Sequence, residues 1–121
     1  MKNFLSIPAT KKLFQNDHFL IIEDGFPVSP GHLLIISNKL RADYFSLTRR
    51  EQHVLVETIE IGKDFILAKH TPDGFNIGMN CGGAAGQTVF HFHCHLIPRY
   101  VGNMENPRGG VRYCIPEKGN Y

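Results

Sequence analysis

Histidines at positions 91, 93 and 95 alternate with apolar residues, and this pattern constrains the fold of the chain more than any other. Side chains of a β-strand point alternately to opposite faces, so residues two apart share one face at a spacing of about 7 Å. The pattern therefore predicts a strand over 89–97 with all three imidazoles on one face. The opposite, apolar face would contain Phe92, Cys94 and Leu96. Imidazoles titrate near neutral pH, which makes the histidine face a candidate for chemistry.

Three imidazoles on one face are compatible with two kinds of site. Histidines on strands bind zinc when another ligand arrives from elsewhere in the fold. Imidazoles also act as general acids, general bases and nucleophiles. The spacing alone leaves both possibilities open.

A run of small residues leads into the predicted histidine strand. Residues 82–88 read Gly-Gly-Ala-Ala-Gly-Gln-Thr and end in two polar side chains. Glycine-rich loops allow backbone amides to approach phosphate oxygens closely. This loop lacks the lysine and the glycine spacing of a P-loop. It nevertheless favours a phosphate-containing ligand beside the histidines.

The rest of the chain indicates an α+β fold with a mainly antiparallel sheet. Residues 18–23 and 32–36 are rich in β-formers and are joined by Gly and Pro turns, which predicts a hairpin. Thr48 and Glu51 form a capping box, so a helix is expected to begin there and to run to about residue 70. Gly62 within this helix suggests close contact with another backbone. Residues 75–80 predict a further strand.

Length and composition fit one small domain, residues 1–121, with a hydrophobic content of 42%. A net charge of +2 is too small to predict binding to nucleic acid or to a membrane surface. The chain contains no apolar run long enough to cross a bilayer, and Pro8, Lys11 and Lys12 interrupt any secretory signal. Three cysteines without metal-like spacing suggest reduced thiols, hence a cytoplasmic protein.

Residues 85–99 resemble the signature of the histidine triad superfamily, in which three histidines alternate with apolar residues. The similarity is closest to the fragile-histidine-triad and bacterial dinucleoside polyphosphate hydrolase branch. It extends to Pro30-Gly31-His32 upstream and to residues 106–112 downstream, and so covers nearly the whole chain. The resemblance implies a five-stranded antiparallel sheet with one long and one short helix, usually in a homodimer.

The resemblance also implies a role for each histidine. His93, the middle residue, would be the nucleophile and would form a covalent nucleotidyl intermediate. His95 would stabilise the phosphate and the leaving group, and His91 would orient the nucleophile. His32, on the neighbouring strand, would complete this catalytic set.

Substrate-binding residues follow from the same resemblance. Asp24 would bind the ribose hydroxyls, and Ile22 would contribute to the base pocket. Gln87 and Thr88 would bind phosphates, and Asn80 would bind the phosphate or the ribose. Independently of the resemblance, residues 99–121 form a locally basic segment, which predicts that Arg108 and Arg112 contact the distal phosphates in their own subunit or across a dimer. Some relatives have an N-terminal Cys-x-x-Cys that this sequence lacks, so their structural zinc is not expected here.

These features together predict a hydrolase or transferase that acts on the α-phosphate of dinucleoside polyphosphates. The alternatives are a purine nucleoside phosphoramidase, a nucleotide-binding regulator with little turnover, and a histidine-ligated metalloenzyme. The protein itself is expected to require no cofactor, although magnesium could assist by neutralising a polyphosphate substrate. A purine nucleotide or dinucleoside polyphosphate and a second copy of the chain are the expected partners.

Overall fold

A five-stranded antiparallel sheet packed against one long helix forms the fold, and the computed structural model describes residues 3–121 of the chain. The sheet has the order β1-β2-β3-β5-β4, and every neighbouring pair is antiparallel. In chain order the elements are β1 (Lys12–Gln15), β2 (Phe19–Glu23), β3 (Leu33–Ser37), α1 (Arg49–Leu67), β4 (Gly74–Gly78) and β5 (His93–Arg99). The α+β class and the five-stranded sheet are confirmed.

The predicted hairpin is present as β2 and β3, which pair from Phe19↔Ser37 to Glu23↔Leu33. Both strands read as nearly continuous aliphatic runs because the sheet is covered on both faces here. On the helix side, the core contains Phe19, Ile21, Leu33, Ile35, Cys94 and Leu96. On the other side, Leu20, Leu34 and Ile36 form a second cluster, which the N-terminal residues Phe4 and Ile7 cover.

Helix α1 begins as the capping box predicts. The Thr48 hydroxyl accepts a hydrogen bond from the Glu51 backbone, and the Glu51 carboxylate accepts one from the Thr48 backbone at 2.7 Å. The buried stripe of the helix then faces the sheet. Gly62 lies in this stripe, where a β-carbon would come within 3.0 Å of the Leu96 side chain. The expected contact with another backbone is therefore wrong, because Gly62 makes room for a side chain of the sheet.

Several predicted boundaries differ from the structure. Helix α1 ends at Leu67 rather than near residue 70, and β4 ends at Gly78 rather than at residue 80. Strand β1 was not predicted from the sequence, because it is short and two of its four residues are polar. Outside α1, the helical segments of residues 3–121 are 3₁₀ turns of three to five residues, at Ala9–Lys11, Tyr44–Ser46, Gly83–Ala85, Gly110–Cys114 and Pro116–Lys118. Within residues 3–121, the predicted short helix is therefore replaced by these 3₁₀ turns.

Strand β5 begins at His93 and not at Val89. Just before it, the Phe92 carbonyl still accepts from the Ser37 amide of β3, but the Phe92 amide donates outside the ladder, to the Arg41 carbonyl at 2.6 Å. His91 thus precedes the strand, and the prediction that all three imidazoles share one strand face is wrong for this residue. None of the helices in the described part of the chain is both long and apolar enough to cross a membrane.

Candidate active site

His93 and His95 lie on one face of β5, and both are half-buried. They sit opposite Ile36 and Leu34 of β3, while Gly78 of β4 lies across from His95. The centroids of the two imidazole rings are 5.5 Å apart. The alternating pattern thus brings two of the three predicted histidines together on an accessible face.

The hydrogen bond made by His93 determines which of its nitrogens can react. Its Nδ1 atom lies 2.8 Å from the carbonyl oxygen of His91. A carbonyl oxygen only accepts, so Nδ1 carries the hydrogen and donates it. In the neutral ring, Nε2 then holds an unshared electron pair. This is the state that a nucleophilic imidazole requires.

His91 is buried, and backbone groups occupy both of its ring nitrogens. Nδ1 accepts a hydrogen bond from the Phe4 amide at 3.0 Å, and Nε2 donates to the Ser37 carbonyl at 2.7 Å. Burial lowers the pKa of His91 against the opposing effect of the Ser37 hydrogen bond, and the neighbouring His93 lowers that pKa further, which favours the neutral ring. His91 therefore orients His93 through its backbone carbonyl rather than through its imidazole.

His32 and His95 form a hydrogen-bonded pair. The Val28 amide donates to His32 Nδ1 at 3.2 Å, so the hydrogen of the neutral His32 ring is on Nε2. His32 Nε2 lies 2.9 Å from His95 Nδ1 and donates to it. His95 in turn carries its hydrogen on Nε2, the nitrogen that remains for a ligand. Burial lowers the pKa of both rings, and for His95 the neighbouring His32 and His93 lower that pKa further.

Asp24 adjoins the histidine pair. Its Oδ2 atom lies 3.3 Å from His32 Nε2 and 3.7 Å from His95 Nδ1, and its Oδ1 atom accepts from the Phe26 amide at 2.8 Å. The Asp24 side chain, which the resemblance predicts to bind ribose, therefore faces His32 and His95.

These three side chains are also the group in which a metal ion could be held, because one ligand atom from each lies within 4.8 Å of the others. A cation on His32 Nε2 would require that nitrogen to lose its hydrogen to Nδ1. Nδ1 could then no longer accept the hydrogen bond from the Val28 amide, because two N–H groups would face each other. The observed hydrogen bonds therefore favour a histidine pair over a metal centre.

The glycine-rich loop is built mainly by its own hydrogen bonds. Gln87 is buried: its side chain accepts from the Gly82 amide and donates to the Ala42 and Val89 carbonyls. The backbone amides of Ala85, Gly86 and Gln87 bond to carbonyls within the loop. Gln87 therefore shapes the loop, which corrects its expected role as a phosphate ligand. The side chains of Asn80 and Thr88 are exposed.

An apolar wall stands beside the histidines. Ile22 is half-buried and packs against the Leu20, Leu34 and Ile36 cluster, together with Phe4 and Ile7. The Phe4 ring lies edge-on to His93, with ring centroids 5.2 Å apart. Sequence reasoning missed Phe4, because its contact with the site depends on a hydrogen bond across 87 residues of chain.

Arg108 and Arg112 are not brought to the histidines. Their guanidinium groups lie 4.6 Å and 5.1 Å from the centroid of the Tyr121 ring, and Arg112 also donates to the Lys118 carbonyl. Both arginines therefore brace the C-terminal segment. Arg99, at the far end of β5, is bound instead by Asn76 and Asn103.

Cys94 cannot serve as a nucleophile in this site. It is buried on the helix side of β5, and burial raises the pKa of its thiol to about 12. Cys81 is half-buried and Cys114 is exposed, and all three are free thiols. Cys94 is therefore a core residue rather than part of the site.

Comparison with known proteins agrees with this arrangement. The pattern of the family described as "HIT domain" matches residues 7–102, which includes Asp24, the hairpin and the four histidines predicted for the site. The chain belongs to the HIT domain family. The match ends before the C-terminal segment that contains Arg108 and Arg112.

A solved HIT family protein from Bacillus anthracis superposes with a TM-score of 0.72 at 40% identity, covering 77% of this chain and 66% of the other. An uncharacterized HIT-like protein of Mycoplasma genitalium is 37% identical over 74% of this chain and 63% of its own length. This HIT domain therefore spans less than two thirds of the length of that relative.

Two relatives have names that state an activity. Adenylylsulfatase HINT3 of Arabidopsis thaliana is 36% identical over 73% of this chain and 45% of its own length. Bis(5'-adenosyl)-triphosphatase of Saccharomyces cerevisiae is 36% identical over 61% of this chain and 36% of its own length. The two names describe different substrates, so they leave the substrate of this HIT domain open.

Proposed function

We propose that this HIT domain is a nucleotide hydrolase or nucleotidyl transferase that works through a covalent intermediate on His93. The observation that carries the proposal is the hydrogen bond from His93 Nδ1 to the His91 carbonyl, which leaves an electron pair on Nε2. His95 stands beside it and directs a hydrogen on Nε2 to the same face. One nucleophile and one donor are what a two-step phosphoryl displacement needs.

In the proposed reaction, His93 Nε2 attacks the α-phosphorus as the bond to the leaving group breaks. The hydrogen on His95 Nε2 binds the oxygen or nitrogen on which charge develops. Water then attacks the phosphorus of the intermediate, the phosphorus–nitrogen bond breaks, and the electron pair returns to His93. The nucleoside monophosphate is released, and the proton of the water passes to the solvent.

Ile22, Phe4 and Ile7 are proposed to contact the base of a purine nucleotide, because they form the apolar wall beside His93. The exposed side chains of Asn80 and Thr88 are proposed phosphate ligands. Arg108 and Arg112 are not part of this proposal, since they pack on Tyr121 instead.

Dinucleoside polyphosphates are the proposed substrate class, with phosphoramidates as the alternative. Burial lowers the pKa of His32 and of His95, which favours a neutral pair near pH 7. A neutral pair suits a leaving group that departs as an anion, as a nucleoside polyphosphate does. The name of the yeast relative points to the same class.

A turnover panel with and without a chelator tests this function. We expect hydrolysis of dinucleoside polyphosphates to exceed that of nucleoside phosphoramidates at pH 7.

Phosphoramidate turnover should survive the chelator, because no step uses a metal held by the protein. Magnesium should change only polyphosphate rates, by neutralising the substrate. Loss of both activities in chelator, with recovery on adding zinc, would contradict the proposal and favour the metalloenzyme.

A homodimer in the cytoplasm is the proposed state of the protein. Strand β4 is an edge of the sheet in the described chain, and Ile77 on it is 47% exposed. Unpaired strand edges are ready to pair with another copy. The three free cysteines suit a reducing compartment.

Sedimentation equilibrium should give about twice the chain mass of 13.7 kDa at micromolar concentration. Ile77→Asp should shift the protein toward monomer, because it places a charge at the proposed interface. Leu13→Asp is the matched control, since Leu13 is a partly exposed residue of the opposite edge strand β1. A wild-type monomer, or equal dissociation of both variants, would refute pairing through β4.

A further inference from the structure

The segment of residues 38–43 follows β3 and adopts no regular secondary structure, yet it supports the residues that lead into β5. The Phe92 amide donates to the Arg41 carbonyl at 2.6 Å. The Gln87 side chain donates to the Ala42 carbonyl, also at 2.6 Å. Two consecutive carbonyls of this segment therefore bind the glycine-rich loop and the residue that precedes β5.

The first of these hydrogen bonds sets the orientation of the peptide group to which His93 is bonded. The Phe92 N–H and the His91 C=O belong to one planar peptide group and point in opposite directions. With the N–H held by the Arg41 carbonyl, the His91 carbonyl is directed to His93 Nδ1, from which it accepts at 2.8 Å. The two hydrogen bonds polarise the same peptide group, so each strengthens the other. The position of the Arg41 backbone therefore affects the orientation of the His93 ring.

The Arg41 side chain anchors this backbone to helix α1. Its Nε atom donates to both carboxylate oxygens of Glu51, at 2.9 Å and 3.2 Å. Glu51 is buried, and it also accepts from the Thr48 amide in the capping box. Burial raises the pKa of the Glu51 carboxyl, but the hydrogen bonds from Thr48 and Arg41 lower that pKa below its ordinary value, which favours the charged pair. A buried carboxylate is costly without its cation, so the pair resists separation.

We propose that Arg41 is a positioning residue for the nucleophile. Its ion pair with Glu51 fixes the backbone carbonyl that holds the Phe92 amide, and the same peptide group then orients the His93 ring. The effect passes through two backbone hydrogen bonds and requires no contact between the ion pair and the substrate. The proposal rests on the proposed function, because it assigns the ion pair a role in forming the nucleotidyl intermediate.

Arg41→Met tests this role, because it removes the guanidinium group and keeps an unbranched side chain. We expect the single-turnover rate of nucleotidyl transfer from a dinucleoside polyphosphate to fall about 10²-fold, as when a reacting group is misplaced by about 1 Å. Affinity for adenosine should stay within about threefold, because the apolar wall beside the histidines is unchanged. Arg41→Lys retains the cation and should recover about tenfold of the lost rate.

The other variants separate positioning from general stability, with all rates measured below the unfolding temperature of each variant. Glu51→Gln keeps the shape of the partner without its charge and should slow the same step about tenfold, and its combination with Arg41→Met should be no slower than Arg41→Met alone. Arg50→Met, the matched control, removes an exposed arginine of α1 and should leave the rate near wild type. Ile66→Val loosens the buried face of α1 far from Glu51 and should lower stability without slowing the folded enzyme. If Arg41→Met does not fold, Arg41→Lys and Glu51→Gln provide the test.

Nuclear magnetic resonance provides a readout independent of turnover. In Arg41→Met and Glu51→Gln, solvent exchange of the Phe92 amide hydrogen should accelerate about tenfold or more, and the nitrogen-15 signals of His93 should show that Nδ1 no longer holds the hydrogen in a single tautomer. Arg50→Met should change neither signal. A protected Phe92 amide with an unchanged His93 tautomer would overturn the proposal, as would wild-type rates in spite of both changes. Both changes in a protein whose wild type hydrolyses neither substrate class would support the positioning role and refute only the proposed function.

Discussion

His93→Asn is expected to reduce kcat roughly 10⁴–10⁶-fold, the range seen when a hydrolase loses its nucleophile. Asn has no nitrogen with an available electron pair, so the covalent intermediate cannot form. Nucleotide affinity should stay within about tenfold, or ~1.4 kcal/mol, because the base wall and the other histidines remain. The measurements are single-turnover kinetics and the equilibrium dissociation constant of a nucleoside monophosphate.

The matched control for this variant is His53→Asn, which changes an exposed histidine of α1. It should leave both kcat and affinity near wild type. Turnover by His93→Asn within tenfold of wild type would refute nucleophilic catalysis by this residue. A large loss of affinity would show that the ring mainly binds substrate.

Features governed by local patterns could be predicted from the sequence. The apolar alternation around Cys94 places His93 and His95 on one face, because strand periodicity needs only neighbouring residues. The capping box at Thr48 and Glu51 is equally local, since its partners are three residues apart. The hairpin follows from two β-rich runs joined by turn residues.

Features governed by distant contacts could not be predicted in this way. His91 has the same spacing as the other two histidines, but its partners are Ser37 and Phe4, which lie 54 and 87 residues away. With these hydrogen bonds, the His91 side chain is buried, and the residue lies before the start of β5. Nothing in the alternation of the sequence distinguishes a buried, backbone-bonded imidazole from one that faces a substrate.

The same reason explains the misassigned polar residues. Gln87 stands where a phosphate ligand is expected, but the Ala42 carbonyl, 45 residues away, takes its amide hydrogen. The basic segment after the histidines predicts distal phosphate contacts for Arg108 and Arg112, yet within one copy of the chain both guanidinium groups pack on the Tyr121 ring. Composition shows that a segment is charged, but the tertiary structure determines which groups its charged side chains contact.

His95→Asn is expected to lower kcat about 10²–10⁴-fold, because it removes the hydrogen-bond donor at His95 Nε2, and to slow the two displacements unequally. His93 Nε2 keeps its electron pair in this variant because the bond to the His91 carbonyl is untouched. The first displacement therefore still proceeds when the leaving group departs as an anion. Water attack should become the slower step, because neutral water is a weaker nucleophile than an imidazole and the donor that stabilised charge on the phosphate has been removed.

The nucleotidyl intermediate should therefore accumulate on His93 in this variant. Rapid quenching with a dinucleoside polyphosphate should show a burst of leaving nucleotide approaching one equivalent per site, followed by slow turnover. Mass spectrometry should find the added nucleotide on the peptide that contains residue 93. The His95→Asn, His93→Asn double variant is the control and should show neither burst nor adduct. A slow His95→Asn enzyme without a burst would place the role of His95 in the first displacement, and an adduct on another residue would refute the assignment of His93.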